Sequence, residues 1–468
     1  MESSLITVIG LCCSSLLVVF GDQQGSRKLL VILLDGFRWD YLKYDGFSDD
    51  GFRRFAREGA TAASLQPVYP SSSYPNYYSL MTGLYTESHG MTGNYMYDAV
   101  RNESFLIGKN PEQKHPHWWD DGDPIWVTAT RQKKNCYMFY WPGCEVEIRR
   151  LRPKFCQPYE AIATISQFRS AIAQSLQLLQ NGSADLATIY FENIDHEGHA
   201  YGPFSDAINS TLKMVDAEIA FLLAEMDRRH IRDSVDVMIT SDHGMTDMSG
   251  VSPTRLINIS SVLPAGDYSL VVEGGSLTSV FLSSELVPQV YQKLKSFHPH
   301  MKAYLRDEIP DRWHYKRGRY VAPITLIADV NWFILAPYYP HYPANSDGSP
   351  WLGWHGYDNT FIDMHGIFLA SGPSFKTNHV SNKPRLHIDL SAIFPEPNNA
   401  SHIHLSVIII IVRLLLTKQA TPPILIVLYF KLLRQTTPPL NHISHINLSV
   451  IFPAFEINHA SIKPCLPY

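Results

Sequence analysis

The sequence predicts an α/β fold built on a largely parallel central sheet with helices on both faces. Three short runs rich in Val, Ile and Leu, at 29–34, 186–191 and 235–240, are bounded by glycine and polar turns. Such runs read as strands buried on both faces of a sheet. Between them lie segments with helical apolar spacing, as expected of successive βα units. A third observation adds chemistry. The runs lead into Asp35, Asp195 and Asp242, and His199 and His243 follow the last two. Ligands of open sheets gather beyond the carboxyl ends of the strands, so one rim collects carboxylates and imidazoles. That pattern predicts a metal site, and the metal predicts an enzyme.

The elements follow in order along the chain. Residues 1–21 read as a signal peptide, because 5–20 is almost wholly apolar, Gly21 supplies a small residue and the chain then turns polar. The folded domain is placed at 22–387. A helix is predicted over 75–84, opening on Pro75, a favoured first-turn residue. Amphipathic helices are predicted over 167–179 and 207–229. The stretch 85–160 is rich in Trp, Tyr, Gly and Pro and reads as irregular loops laid over a sheet edge. From 388 the character changes: 402–408 is echoed at 445–451, and 420–424 at 436–440. Repetition without turn chemistry or helical period marks 388–468 as an atypical low-complexity tail rather than a native domain end.

Composition bounds the function. The 468 residues suit one large α/β domain or two ordinary ones. A hydrophobic share of 45% with 18% charged residues belongs to a folded globular protein. The net charge of −5 and the lack of a basic cluster exclude a nucleic-acid polymer as partner. Export permits disulfides. Cys144 and Cys156, with Pro142-Gly143 before and Pro153 between, suit a small looped one. Sequons at Asn102, Asn181, Asn209 and Asn258 agree with a glycosylated, secreted or cell-surface protein.

Zinc takes deprotonated N and O ligands, usually four per ion. The candidates are Asp35, Asp195, His199, Asp242, His243 and His355, the last in Gly353-Trp-His-Gly-Tyr. Asp195 and His199, at i and i+4, reach one ion from a single helical turn. Asp242 and His243 are adjacent and bind one ion only from an irregular loop, which Gly244 permits. Six ligands exceed one tetrahedral site and suit two Zn²⁺ ions, a pair that polarises a phosphoryl group. Serines at 71–73 stand just before the Pro75 helix, where backbone N–H groups and the dipole favour an anion. A serine beside zinc loses its proton near neutral pH and attacks without a histidine base. Spacing alone leaves open which serine serves. Asn94 can donate its amide to developing phosphoryl charge.

Taken in order, Leu33-Leu-Asp-Gly-Phe-Arg, Ser73-Tyr-Pro-Asn-Tyr-Tyr, Thr82-Gly-Leu-Tyr-Thr-Glu-Ser-His-Gly, Gly93-Asn94, Asp195-x-x-Gly-His199, Ser241-Asp-His-Gly-Met and His355-Gly-Tyr-Asp-Asn resemble the ectonucleotide pyrophosphatase/phosphodiesterase family of the alkaline phosphatase superfamily. The resemblance covers roughly 28–385. It implies an alkaline-phosphatase-like fold, Ser73 as nucleophile, and one zinc held by Asp195, His199 and His355. A second zinc is implied at Asp35, Asp242 and His243 with Ser73, and Asn94 contacts the phosphate. Within the family, Tyr140-Trp-Pro-Gly-Cys-Glu-Val-Glu-Ile and Gly353-Trp-His-Gly-Tyr look most like the choline-specific glycerophosphodiesterase, the sixth member.

That likeness implies hydrolysis of glycerophosphocholine and lysophosphatidylcholine to phosphocholine. Tyr190 then faces the choline and Glu273 is the candidate pocket acid. The expected partner is a small-molecule or lysolipid phosphodiester, with membrane-surface association and a homodimer left open. Members that act on nucleotides usually carry threonine in place of Ser73, and a nucleotide or sphingomyelin is the alternative substrate. The rival from another class is a catalytically dead choline-binding surface protein. The C-terminus is too polar for a lipid-anchor signal, which favours a secreted product.

Overall fold

The computed structural model describes residues 27–381 apart from positions 109, 251, 252 and 376. The predicted leader and tail lie outside those residues. Lys28–Leu34 is a central strand, parallel to Leu186–Phe191 on one side and Val235–Thr240 on the other. The eight-stranded sheet runs His379–Ser381, Ala60–Ala62, Phe368–Ser371, Val235–Thr240, Lys28–Leu34, Leu186–Phe191, Cys136–Phe139, Phe155–Gln157. Phe368–Ser371 is antiparallel to both its neighbours; the other pairs are parallel.

The central strand shows why an unbroken apolar run was needed. Side chains alternate between the faces of a sheet. Leu29, Val31 and Leu33 enter one core, and Leu30, Ile32 and Leu34 enter the other. All six are at most 1% exposed, and each contributes about 1.5–3 kcal/mol by burial. Helices Ser73–Thr82 and Ile125–Arg131 pack on the first face through Tyr77, Met81, Ile125 and Trp126. Helices Ile165–Gln180 and Asp206–Arg228 cover the second through Phe168, Leu176, Leu212 and Ile219. Their starts are fixed by side chains. Thr164 and Gln167 form a capping box, and Ser205 Oγ accepts the N–H of Ile208 at 3.3 Å.

Two expectations need correction. The stretch 85–160 is not loops alone, since Cys136–Phe139 and Phe155–Gln157 are the last two strands at one end of the sheet. At four and three residues they are too short to show a pattern against their Pro/Gly-rich surroundings. The Pro75 helix begins two residues earlier, at Ser73. Proline is tolerated throughout a first turn, whose N–H groups lack intrahelical partners. A second sheet, not anticipated, joins Leu270–Val272, Leu277–Phe281, Ile324–Ala328 and Met301–Leu305 in antiparallel register. Helix Val287–Lys295 packs into its core through Val290 and Leu294. Among the described residues, no helix is long and apolar enough to cross a membrane.

Candidate metal centre and active site

Register places the carboxyl ends of the three parallel strands side by side, with Leu33 opposite both Tyr190 and Thr240. Asp35 follows the central strand, its N–H held by the Phe191 carbonyl at 2.9 Å. Helix Asn193–Tyr201 starts just beyond Phe191, with Asp195 in its first turn and His199 one turn on. Asp242 and His243 occupy the bend after Val235–Thr240. The chain then continues into Thr246–Asp247, which pairs antiparallel with Gly353–Trp354 and so brings in His355.

Two glycines permit this crowding. Gly36 has φ +65°, and a Cβ on it would lie 2.8 Å from the Asp195 Cα; its N–H donates to Asp242 Oδ1 at 3.2 Å. A Cβ on Gly353 would lie 2.2 Å from the Gly198 carbonyl oxygen.

The six residues fall into two groups, Asp195–His199–His355 and Asp35–Asp242–His243, whose ligand atoms lie within 4.8 Å of one another in each group. His199 Nε2 is 3.4 Å from Asp195 Oδ2, and His355 Nε2 is 3.8 Å from Asp195 Oδ1. His243 Nε2 is 3.3 Å from Asp35 Oδ1 and 3.7 Å from Asp242 Oδ2. The His243 and His355 rings stack at 3.7 Å, which makes the two groups neighbours.

The hydrogen bonds behind the rings decide what the rings present. Nδ1 of His199 faces the Gly353 carbonyl at 3.0 Å, that of His355 the Ser71 carbonyl at 3.0 Å, and that of His243 the Gly244 carbonyl at 2.8 Å. A carbonyl only accepts, so each Nδ1 carries the proton and each Nε2 turns a bare lone pair inward. Those of His243 and His355 face Asp35 Oδ1, Asp242 Oδ2 and Asp195 Oδ1, all buried without a hydrogen-bond partner among the described residues, and that of His199 faces Asp195 Oδ2. Burial and the neighbouring carboxylates push Asp35 and Asp195 well above the usual carboxylate range, and burial raises Asp242. Burial likewise lowers His199 to about 3 and drives His355 well below the usual histidine range. A divalent cation lying between these acceptors would satisfy the lone pairs and hold ionised the carboxylates that burial otherwise drives toward the neutral form. The donor set fits divalent metal.

Ser73 opens the helix Ser73–Thr82, and its Oγ lies 3.2 Å from His243 Nε2. Asn94 Oδ1 accepts the N–H of Tyr74 at 3.0 Å, so the amide N–H groups are what Asn94 has left to donate. The structure thus gathers every predicted metal ligand, Ser73 and Asn94 at one place. Cys144 and Cys156 are joined by a disulfide.

The two residues expected at a choline pocket make contacts to the protein itself. The hydroxyl of Tyr190 donates to Asp35 Oδ2, and Trp141 and Tyr159 pack on its ring. Glu273 Oε1 accepts the N–H groups of Asn94 and Tyr95 at 3.1 and 3.3 Å. Burial pushes its carboxyl up to about 8, so near neutral pH it offers a quaternary ammonium little negative charge. Two residues escaped the sequence-based reading of the site. Arg38 binds Asp40, Asp363 at 3.1 Å and the Met245 carbonyl, tying together the loops that follow two strands. Glu192, raised by burial, adds to the negative field on Asp35 and Asp195. Arg38 stood inside the Asp35 motif and Glu192 three residues before Asp195, a signal that position alone could have supplied.

The family model for type I phosphodiesterase / nucleotide pyrophosphatase matches residues 29–358. The chain belongs to this family. As a member, the phosphodiesterase is a phosphoric diester hydrolase. It is 35% identical over 387 residues to bis(5'-adenosyl)-triphosphatase enpp4 of Xenopus laevis, covering 81% of each chain. It is 31% identical over 369 residues to ectonucleotide pyrophosphatase/phosphodiesterase family member 5 of Homo sapiens, covering 79% of this chain and 74% of that one. The solved human member 5 superposes with TM-score 0.68 at 30% identity, over 80% of this chain and 97% of that one. An inactive form of the murine member 5, in complex with AMP, gives TM-score 0.67 at 30% identity, over 80% and 97%. The alkaline-phosphatase-like α/β fold expected from the sequence is therefore the fold of this phosphodiesterase. The expected likeness to the choline-specific sixth member is corrected, because these relatives are members 4 and 5.

Proposed function

We propose that this phosphodiesterase hydrolyses nucleotide pyrophosphate or phosphodiester bonds, with Ser73 as nucleophile and two zinc ions in the strand-end groups. Asp195, His199 and His355 would hold one ion, and Asp35, Asp242 and His243 the other. The ions supply Lewis acidity and lower the serine pKa. The observation that carries the reading is the set of three imidazoles, each fixed through Nδ1 by a backbone carbonyl, that turn Nε2 onto buried carboxylates, those of His243 and His355 onto oxygens with no hydrogen-bond partner among the described residues. Three carboxylates and a serine alkoxide sum to the charge that two divalent ions neutralise.

Ser73 Oγ, held at a helix N-terminus where anions are favoured, attacks phosphorus as the bond to the leaving group breaks. Asn94 donates its amide to the phosphoryl oxygens. Water then cleaves the Ser73–phosphorus bond, releases the phosphate monoester and restores the hydroxyl. Tyr190 orients Asp35 through their hydrogen bond.

The nucleotide preference rests on the relatives and on the rim. Tyr95, next to Asn94, packs on Tyr338 at 4.9 Å, and Tyr159 lies against Tyr190 at 6.0 Å. The half-buried rings of Tyr95, Tyr338 and Tyr159 suit a stacked base. The Cys144–Cys156 disulfide supports an exported enzyme. A panel of diadenosine triphosphate, a nucleotide p-nitrophenyl ester and glycerophosphocholine, run with wild type and Ser73→Ala, tests the reading. Nucleotide substrates turned over by wild type alone are the expected result. Preference for glycerophosphocholine would restore the choline reading, and equal turnover by the variant would remove Ser73 from the mechanism.

A further inference from the structure

Outside the strand-end rim, the described residues converge imidazole and carboxylate ligand atoms at one other place. Glu103, His115 and His117 each offer one ligand atom within 4.8 Å of the other two. His115 Nδ1 is 3.1 Å from Glu103 Oε2, and His117 Nε2 is 3.5 Å from the same oxygen. His117 Nε2 is buried and has no hydrogen-bond partner among the described residues. It is a polar atom turned toward an anionic oxygen at a distance too long for a good hydrogen bond.

The backbone carrying these donors is held independently of any ion. Glu103 and Phe105 share one face of the strand Glu103–Leu106. Phe105 is fully buried against Trp118, at 5.7 Å, which aims Glu103 toward the 115–118 segment. Asn110 binds the same strand from the connecting loop, donating to the Ser104 carbonyl and accepting the Leu106 N–H. The Tyr320 hydroxyl donates to the His117 carbonyl at 3.1 Å. Pro116 limits the conformations of the His-Pro-His segment. The Arg101 guanidinium, which also acts on His117, is paired with Asp98 at 2.8 Å.

We propose that Glu103, His115 and His117 form a further zinc site, distinct from the strand-end groups. Two imidazoles and a carboxylate are a borderline N/O donor set suited to zinc, and water completes the fourth position. The donors are partly exposed, with side chains 31%, 49% and 17% accessible in chain order, so the ion exchanges with solvent. Its occupancy pins the hairpin formed by Tyr95–Asp98 and Glu103–Leu106 to the 111–118 segment. That hairpin begins one residue after Asn94, so the ion stiffens the approach to the active site.

The test compares wild type with His115→Ala/His117→Ala. Metal is counted by mass spectrometry after equilibration with zinc chloride, and further zinc is titrated calorimetrically into the loaded enzyme. The readout is the difference between the proteins rather than the total, so it stands apart from the number of catalytic ions. One equivalent more in wild type, bound saturably and lost in the double variant with turnover of the nucleotide ester retained, is the expected result. Equal zinc content in the two proteins, or only non-saturating uptake, overturns the site. Should the double variant fold poorly, His117→Gln removes one donor at small volume change and must also lose the equivalent.

Discussion

The strand-end rim and the Glu103–His115–His117 cluster use the same residue types and differ in what stands behind them. In the rim, every imidazole gives its Nδ1 proton to a backbone carbonyl, so Nε2 is committed to the site before any ion arrives. In the outer cluster, His115 turns Nδ1 on Glu103 itself. The rim carboxylates are almost inaccessible, whereas Glu103 remains partly solvated. Preorganised donors in a dry site bind tightly and strengthen every charge they hold. Solvated donors bind more weakly and reversibly. The comparison teaches that burial and the hydrogen bonds behind a ligand separate a catalytic from an exchangeable site.

That contrast can be broken in graded ways. The largest effect is expected from Ser73→Ala, with turnover reduced by at least about 10³-fold and zinc content unchanged; a loss of zinc with it would make Ser73 a structural ligand. His355→Ala should remove one equivalent of zinc and lower turnover by roughly 10²-fold or more, read by metal analysis beside kinetics. Retention of full metal would detach His355 from the rim. Tyr190→Phe leaves Asp35 without the donated hydroxyl and should cost about 10–100-fold in zinc affinity or turnover, measured by competition with a chelator. His115→Ala/His117→Ala should leave turnover near wild type while the thermal midpoint loses its response to added zinc.

The smallest effect concerns pH. Burial raises Glu273 to about 8, so the folded state holds a proton that the unfolded chain releases near the ordinary carboxylate value. Stability from this group is complete below that ordinary value and is lost as pH rises through about 8. Glu273→Gln removes this term and should flatten the fall in denaturant midpoint between pH 5 and 8. An unchanged slope would show the carboxyl to be ionised throughout.

Much of the central architecture was legible because burial on both faces writes itself as continuous apolar runs. The expected strands at 186–191 and 235–240 coincide with the observed ones, and the first differs by one residue. The long helices agree to within two residues, since their apolar stripe had one face of the sheet to meet. The short outer strands Cys136–Phe139 and Phe155–Gln157 were not legible, because three or four residues carry too little periodicity. The antiparallel sheet around Leu277–Phe281 was missed for a different reason. Its pairing is set by distant partners rather than by a local motif.

By itself, the sequence determined that three acids follow three buried strands and that a serine precedes a proline in a helix's first turn. Those facts depend only on local order, and local order decides which end of a strand carries a carboxylate. Tertiary structure alone decided that His355 joins Asp195, through the antiparallel pairing of Gly353–Trp354 with Thr246–Asp247. It also decided that Tyr190 serves Asp35, and that Glu273 holds the Asn94 and Tyr95 backbone. A carboxylate's partner is whichever donor the packed chain leaves within reach, and desolvation then sets its charge. Neither is written in the residues beside it.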